Sequence, residues 1–398
     1  MRNKINLKSG ISLIILVTAL NTSAQYVTPQ QNGSLYSFQV ADMYFEVDSG
    51  FGSRISSLKL GDEEIMFVDR DYADGILWGS TSWPAPQSDW GWPPSVVLDS
   101  DPYSGGITGD SVILVSGVDE GSNLRFKKVF YASEEDTSVT IVYTYINEGA
   151  GTENNGAWEI TRVPPGGISF FPSGEGSVTG ALAVYAEKVN NVTWYEYESS
   201  DIGNRKFSSD GSNGWYAHAN DNSTLFIKKF HDVHYDSVPT GHKEIELWLN
   251  GDHAYIELEN LGKYVTIAPG DSISYEVKWY VRQIPDNIDI SAGSNELVNY
   301  VSCIIGEGPF TDIGTAGYKN LNGAVYVTTN SSTGHAAFIN LPAGTFVAKI
   351  VDLTGKTIRT GKVTSVNNNI YTGDLQQGIY IYFLSGESVF DSGRLFIE

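Results

Sequence analysis

The residues best suited to chemistry lie in Glu244–Asp271, EIELWLNGDHAYIELENLGKYVTIAPGD, where carboxylates, rings and a histidine alternate with aliphatic side chains. Asn250-Gly251 predicts a two-residue type I′ turn, because both residues tolerate positive φ. With that turn Leu249 lies opposite Asp252, and Ile245 and Leu247 meet Ile256 and Ala254 on one face. Glu244, Glu246 and Trp248 then meet Glu257, Tyr255 and His253 on the other. The second face carries what a sugar site needs: carboxylates for hydroxyl groups and rings for C–H surfaces. The same register sets Glu244 against Glu257, and like charges directly opposite destabilise a ladder. A shared proton, a ligand or a cation such as calcium would relieve them.

Three further clusters have matching chemistry. Trp78, Trp83, Trp90 and Trp92 fall close together in a proline-rich stretch that follows Gly50–Leu60, GFGSRISSLKL. Trp83, Trp90 and Trp92 are candidates for stacking on a sugar, or a rigid plug at one end of a sandwich. In Ala157–Gly167, AWEITRVPPGG, alternation places Trp158, Ile160 and Arg162 on one face and Glu159 and Thr161 on the other. Arg162 would hold a substrate oxygen, or pair with one of the hairpin glutamates. In Leu225–Asp236, LFIKKFHDVHYD, the bases Lys228, Lys229, His231 and His234 and the phenol Tyr235 sit close together, and histidine is a general acid near neutral pH. His231 and His234 lack the i, i+2 spacing that puts two ligands on one strand face, so no metal site is expected. No nucleophile elbow, phosphate loop or dinucleotide fingerprint is present.

The elements that must position these groups are strands. Tyr (23), Phe (17), Trp (9) and Gly (42) are abundant, and short alternating runs recur at Phe45–Asp48, Val112–Val115, Val139–Tyr145, Thr224–Lys228 and Tyr275–Val281. This is the pattern of an antiparallel sandwich or barrel, an all-β fold. Residues 25–302 read as one large β domain closed by a short helix at Asn295–Val301. Residues 303–320 read as a Gly-rich linker, and 321–398 as a small all-β module of about seven strands.

Residues 1–24 read as an export signal: Arg2, Lys4 and Lys8 precede the apolar run Ile11–Leu20 and a small-residue cleavage site, Thr22-Ser23-Ala24. That run is too short to span a bilayer. Losing three basic and no acidic residues takes the formal charge from -22 to -25, which argues against nucleic acid and anionic membranes as partners. The single Cys303 excludes an internal disulfide and reads as a small buried hydrophobe.

Taken in order, GFGSRISSLKL, WGSTSWPAP with WPP, AWEITRVPPGG, GWYAHANDNSTLFIKKF and the final segment through Val281 resemble the galactose-mutarotase-like superfamily, and within it a branch of bacterial domains known as DUF4380. The resemblance covers roughly residues 35–302. It implies a large antiparallel supersandwich with a sugar pocket on its concave face. It also implies a catalytic base some residues before the turn Pro269-Gly270-Asp271-Ser272, with Glu259 the best match and Glu257 the second. The family's histidine motifs are not recognisable here; His231 or His234 would have to serve as acid. In residues 321–398, AKIVDLTGK, LQQGIYIY and the tail Arg394–Ile397 resemble the C-terminal sorting domains of the type IX secretion system of Bacteroidetes. That implies a small β-sandwich read by the secretion machinery.

The expected function is an exported carbohydrate-active protein acting on a polysaccharide or oligosaccharide, without a cofactor unless calcium is bound. Three chemistries fit: epimerisation by Glu259 with a histidine, β-elimination using Arg162, Lys229, His231 and Tyr235, or hydrolysis by two carboxylates. In each, Trp83, Trp90, Trp92, Trp158, Lys229, Glu246 and Trp248 would bind substrate. The alternative is a glycan-binding protein that uses the same groups without turnover.

Overall fold

The computed structural model describes residues 26–306, except 199, 201 and 202, and most of 326–397, leaving out 331–333, 340, 342–343, 353–355, 387 and 388. The expected export signal and most of the expected linker lie outside the described residues.

The chain is all-β, built on two large antiparallel sheets of eleven strands each. One sheet runs from Glu187–Val189 through Ile168–Pro172, Trp215–Ala219, Thr224–Phe230, Ser272–Gln283, Ser138–Asn147 and Leu124–Ser133 to Ser104–Thr108. The other runs from Arg205–Ser209 through Ile245–Leu249, Ile256–Leu261, Glu153–Val163, Ser80–Ala85, Arg54–Leu60 and Met43–Asp48 to Gln30–Asn32. The runs read as strands from sequence lie within these elements, and Val112–Val115 within Ser111–Asp119 of the first sheet.

Alternation supplies the filling between the sheets. Phe45 of the second sheet packs on Phe130 and Trp279 of the first, each at 5.9 Å between ring centroids. Polar ties cross the same gap. Lys228 Nζ lies 2.8 Å from Glu159 Oε2 and donates to the Leu258 carbonyl at 2.9 Å, while Tyr143 donates to Glu159 Oε1 at 2.8 Å. Lys228, one of the bases expected near the site, is thus an inter-sheet strut. Tyr145 ties Ser138–Asn147 to the other sheet by donating to the Trp83 carbonyl at 2.8 Å.

The strand Glu153–Val163 is buried almost throughout, on both faces. Its inward side chains, Glu159 among them, meet the other sheet. Its outward ones, Trp158 and Ile160, join Trp83, Ala85 and Leu261 in a second apolar cluster on the far face of the same sheet. A strand covered on both sides needs apolar or paired residues at every position.

The helix Asn295–Ile304 is capped by Ser294, whose hydroxyl accepts from the Leu297 N–H. It extends through Cys303, which is buried, so the first two residues of the expected linker are helical. Leu297, Val301 and Ile304 share a core with Val351, Ile381 and Phe383 of the C-terminal part. Among its described residues that part has seven strands, in sheets of three and four.

Replacing Lys228 by Met leaves the Glu159 carboxylate buried without its cation. It should cost about 3–5 kcal/mol in urea unfolding, and adding Glu159→Leu should restore most of the loss. A single mutant within ~1 kcal/mol of wild type would show that the pair does not tie the sheets together.

Candidate functional site

The site lies on the outward face of the second sheet, where five strands place their side chains in rows. Ile245–Leu249 and Ile256–Leu261 form the expected hairpin, but in a different register. Glu246 lies opposite Glu259, Trp248 opposite Glu257 and Leu249 opposite Ile256. The expected pairing of Glu244 with Glu257 is therefore wrong. The turn is not a two-residue Asn-Gly loop: residues 250–255 make a wider one in which positive φ falls on His253. The Asn250 side chain organises it, accepting from the N–H groups of Asp252 at 3.0 Å and Ala254 at 3.2 Å. Tyr72 donates to the same oxygen at 3.1 Å, and Asn204 accepts from the Gly251 N–H at 2.7 Å. The slip is an even number of residues, so the paired side chains of Ile245–Leu249 and Ile256–Leu261 keep their expected faces.

Glu244 turns away from the site. Its buried carboxylate accepts from the Val233 N–H at 2.7 Å and the Gly211 N–H at 3.1 Å. Burial, with Asp232 and Asp210 nearby, pushes it up to about 8 against the pull of those two donors.

Like charges do face each other across the hairpin, but they are Glu246 and Glu259. The cation between them is Lys206, from the edge strand Arg205–Ser209. Its Nζ lies 2.6 Å from Glu246 Oε2 and 2.8 Å from Glu259 Oε2. Glu246 Oε2 also receives His242 Nδ1 at 3.1 Å, and its Oε1 accepts from Ser208 Oγ at 3.0 Å. Glu259 Oε2 accepts from Trp158 Nε1 at 2.7 Å. Among the described residues no group of three or more metal-ligating side chains gathers.

The two carboxyls respond differently to one environment. Burial, reinforced by the charges of Glu246 and Glu257, pushes Glu259 up to about 8, with Lys206 opposing. Glu246 is equally buried, but His242 and Lys206 outweigh that and hold it down at about 2. Burial alone would lower Lys206; the two glutamates raise it instead. The opposed pair is therefore poised to hold a proton, with Glu259 the more easily protonated of the two. Lys206 and Trp158 both bond to Glu259 Oε2.

Glu257 lies on the same strand face as Glu259, two residues away, or about 6.6 Å along the strand. Arg162 lies directly opposite it and makes an ion pair at 2.7 Å between Nη2 and Oε1. The guanidinium is fully buried, with its carbon 5.6 Å from the Trp83 ring and 5.5 Å from that of Tyr255.

These groups line a cleft of about 430 Å³ bounded by Trp83, Trp92, Trp158, Trp248, Glu257 and Glu259, with Leu77, Gln87, Asn204, Lys206, Asn250 and Tyr255. Trp83 is its centre post. It meets Trp158 at 5.4 Å, Trp92 at 5.8 Å and Trp90 at 6.0 Å, and its Nε1 donates to the buried Asp99 at 2.8 Å. Trp90 stands behind it, bonded to the Pro84 carbonyl at 2.7 Å.

Of the residues expected at the site, Trp83, Trp92, Trp158, Trp248, Glu257 and Glu259 line the cleft. Arg162 and Glu246 support it through ion pairs. Lys229, His231 and Tyr235 do not line it. Lys229 donates to the Ile305 carbonyl, and His231 and Tyr235 are exposed in the loop after Thr224–Phe230. His234 is also exposed there, beside Asp236.

Sequence reasoning missed Lys206 and His242. A signal for Lys206 existed: two acids on one strand face require a cation from a neighbouring strand. His242 had none, because it sits in an irregular loop and reaches Glu246 only through tertiary structure. Its ring packs edge-on against Trp158 at 4.9 Å.

No protein-family model matches the chain, and no curated protein matches it. Among solved structures it resembles a candidate aldose 1-epimerase from Escherichia coli K12, at 12% identity over 63% of this chain and 99% of that one, with a TM-score of 0.43. It also resembles a galactose mutarotase-like protein from Clostridium acetobutylicum, at 10% identity over 66% and 99%, TM-score 0.43. A third is a TPR-domain containing protein from Parabacteroides distasonis, at 14% identity over 65% and 48%, TM-score 0.46. Likeness at this level assigns neither a family nor an activity.

The raised Glu259 carries a linkage signature. Its folded state binds a proton that the unfolded state, near the ordinary glutamate value of 4.5, releases. Its contribution is full below that value and falls as pH rises toward about 8. Glu259→Gln should remove this fall, so the stability difference from wild type should change with pH by up to about 1.4 kcal/mol per unit in that window. Parallel curves in urea unfolding would show Glu259 ionised throughout.

Proposed function

We propose that this protein is a carbohydrate-active enzyme performing acid–base catalysis on an uncharged sugar ring, interconverting anomers or neighbouring epimers. The observation that carries this reading is the pair Glu257 and Glu259, side by side on one strand face beside an aromatic wall. One is ion-paired with Arg162; burial and neighbouring charges push the other toward its protonated form. The Glu257 carboxylate takes the proton of the anomeric hydroxyl as the C1–O5 bond breaks, and Glu259 gives its proton to O5. Closure of the free aldehyde on its other face returns both protons. This gives Glu259 the acid's role, where the resemblance to mutarotases implied the base, because a carboxyl that keeps its proton at neutral pH is the better donor. Lys206 holds the Glu259 carboxyl in place and Arg162 holds that of Glu257, while Trp83 and Trp158 offer apolar surface to the sugar's C–H face.

Elimination on a uronic acid fits less well. It needs a cation free to neutralise the substrate carboxylate, and Arg162 and Lys206 are both closed on glutamates. Hydrolysis is the second reading, favoured by one observation. Glu257 and Glu259 both line the cleft from one strand face, and two carboxyls in one cleft are the groups hydrolysis requires.

Polarimetry of freshly dissolved α-hexoses and pentoses tests the first reading. Wild type should accelerate the drift to equilibrium, and Glu257→Gln and Glu259→Gln should each slow it by about 10²–10⁴-fold. Shortened oligosaccharides in mass spectra, without acceleration of any anomer, would favour hydrolysis. Glycan-dependent tryptophan quenching that survives Glu259→Gln, with no turnover, would favour a binding protein.

The basic-then-apolar leader and the motifs of residues 321–398 support export to the cell surface or beyond, with the type IX machinery as partner. N-terminal sequencing of the secreted chain should begin at Gln25. A chain kept inside the cell with Met1 intact would defeat the export reading.

A further inference from the structure

Burial grades along the cleft. Glu259, Glu257, Trp158 and Trp83 are buried at its deep end. Lys206, Trp248 and Gln87 are half-buried, and Asn204 and Trp92 are exposed. Of the nine tryptophans, Trp92 alone is exposed, at 53%. A tryptophan that merely plugged the sheet end would resemble Trp78, which is 1% exposed and has its Nε1 bonded to the Gly75 carbonyl. Trp92 is instead held at the mouth, edge-to-face with Trp83, on a loop anchored by the Trp90 bond to Pro84. An indole fixed in this way offers a large apolar surface and has little conformational entropy left to lose on binding.

We propose that Trp92 is the platform for a second sugar unit. The cleft takes the end of an uncharged oligosaccharide, with the terminal ring over Glu257 and Glu259 and the next ring against Trp92. The proposal rests on the carbohydrate reading above. It adds that the ligand is longer than a monosaccharide. The charge balance points the same way: both cations of the site are matched by carboxylates, so a chain of neutral rings meets no unpaired charge inside. An acidic chain would meet glutamates with no free cation.

Calorimetry with the full chain tests this, using neutral hexose and pentose homo-oligosaccharides of one to four units in α and β linkages. For the sugar that binds, two units should bind at least about tenfold more tightly than one. Trp92→Ala should abolish that gain and leave the one-unit Kd within about twofold, whereas Trp92→Phe should keep most of it. Equal affinity for one and two units, or an equal loss for both in Trp92→Ala, would overturn the second-unit platform while leaving the carbohydrate reading intact. Failure of every sugar to bind wild type would overturn both.

Discussion

Two carboxylates facing each other across a buried hairpin is the constraint on which the site depends. Glu246 and Glu259 cannot both be charged in that position without a cation between them. Lys206 supplies it from the next strand, and the consequences spread from there. It ties the edge strand to the hairpin, keeps Glu246 ionised with help from His242, and leaves Glu259 as the carboxyl that holds a proton. An arrangement that would destabilise an open ladder thus makes two chemically different acids, of which Glu259 lines the cleft.

The same economy recurs across the second sheet. Arg162 and Glu257 face one another over adjacent strands, and Lys228 and Glu159 do so through the core between the sheets. Each of these ion pairs joins different strands, because a β-strand sends neighbouring side chains to opposite faces and cannot pair them internally. The ion pairs therefore report the fold: they hold only when the strands lie in the observed order and register. The aromatic wall follows a similar rule, with Trp83 and Trp158 contributed by adjacent strands and fixed by N–H bonds to Asp99 and Glu259.

Much of this was legible in the chain. Period-two alternation correctly sorted Trp158 and Arg162 from Glu159, and Glu246, Trp248, Glu257 and Glu259 from their aliphatic neighbours. The alternative that Arg162 pairs with a hairpin glutamate was also present in the sequence. The register was not. Asn250-Gly251 has the composition of a tight turn, yet the Asn250 side chain bonds to the loop backbone and builds a six-residue connection. Because the shift is even, the faces survived while each named pair changed. The bases clustered in Leu225–Asp236 were misleading for a different reason. Lys228 is drawn into the core by Glu159, Lys229 bonds to the Ile305 carbonyl, and His231, His234 and Tyr235 are carried out of the sheet into an exposed loop.

The sequence by itself determined that the chain is all-β, which residues share a face, and that acids and rings crowd the face opposite the core. These depend on local periodicity, which each strand expresses alone. Only the tertiary structure decided which glutamate opposes which, that Lys206 is the cation between them, and that His242 stands behind the wall. Those facts depend on contacts between segments distant in the chain, set by loop geometry and sheet order, and no local pattern encodes them.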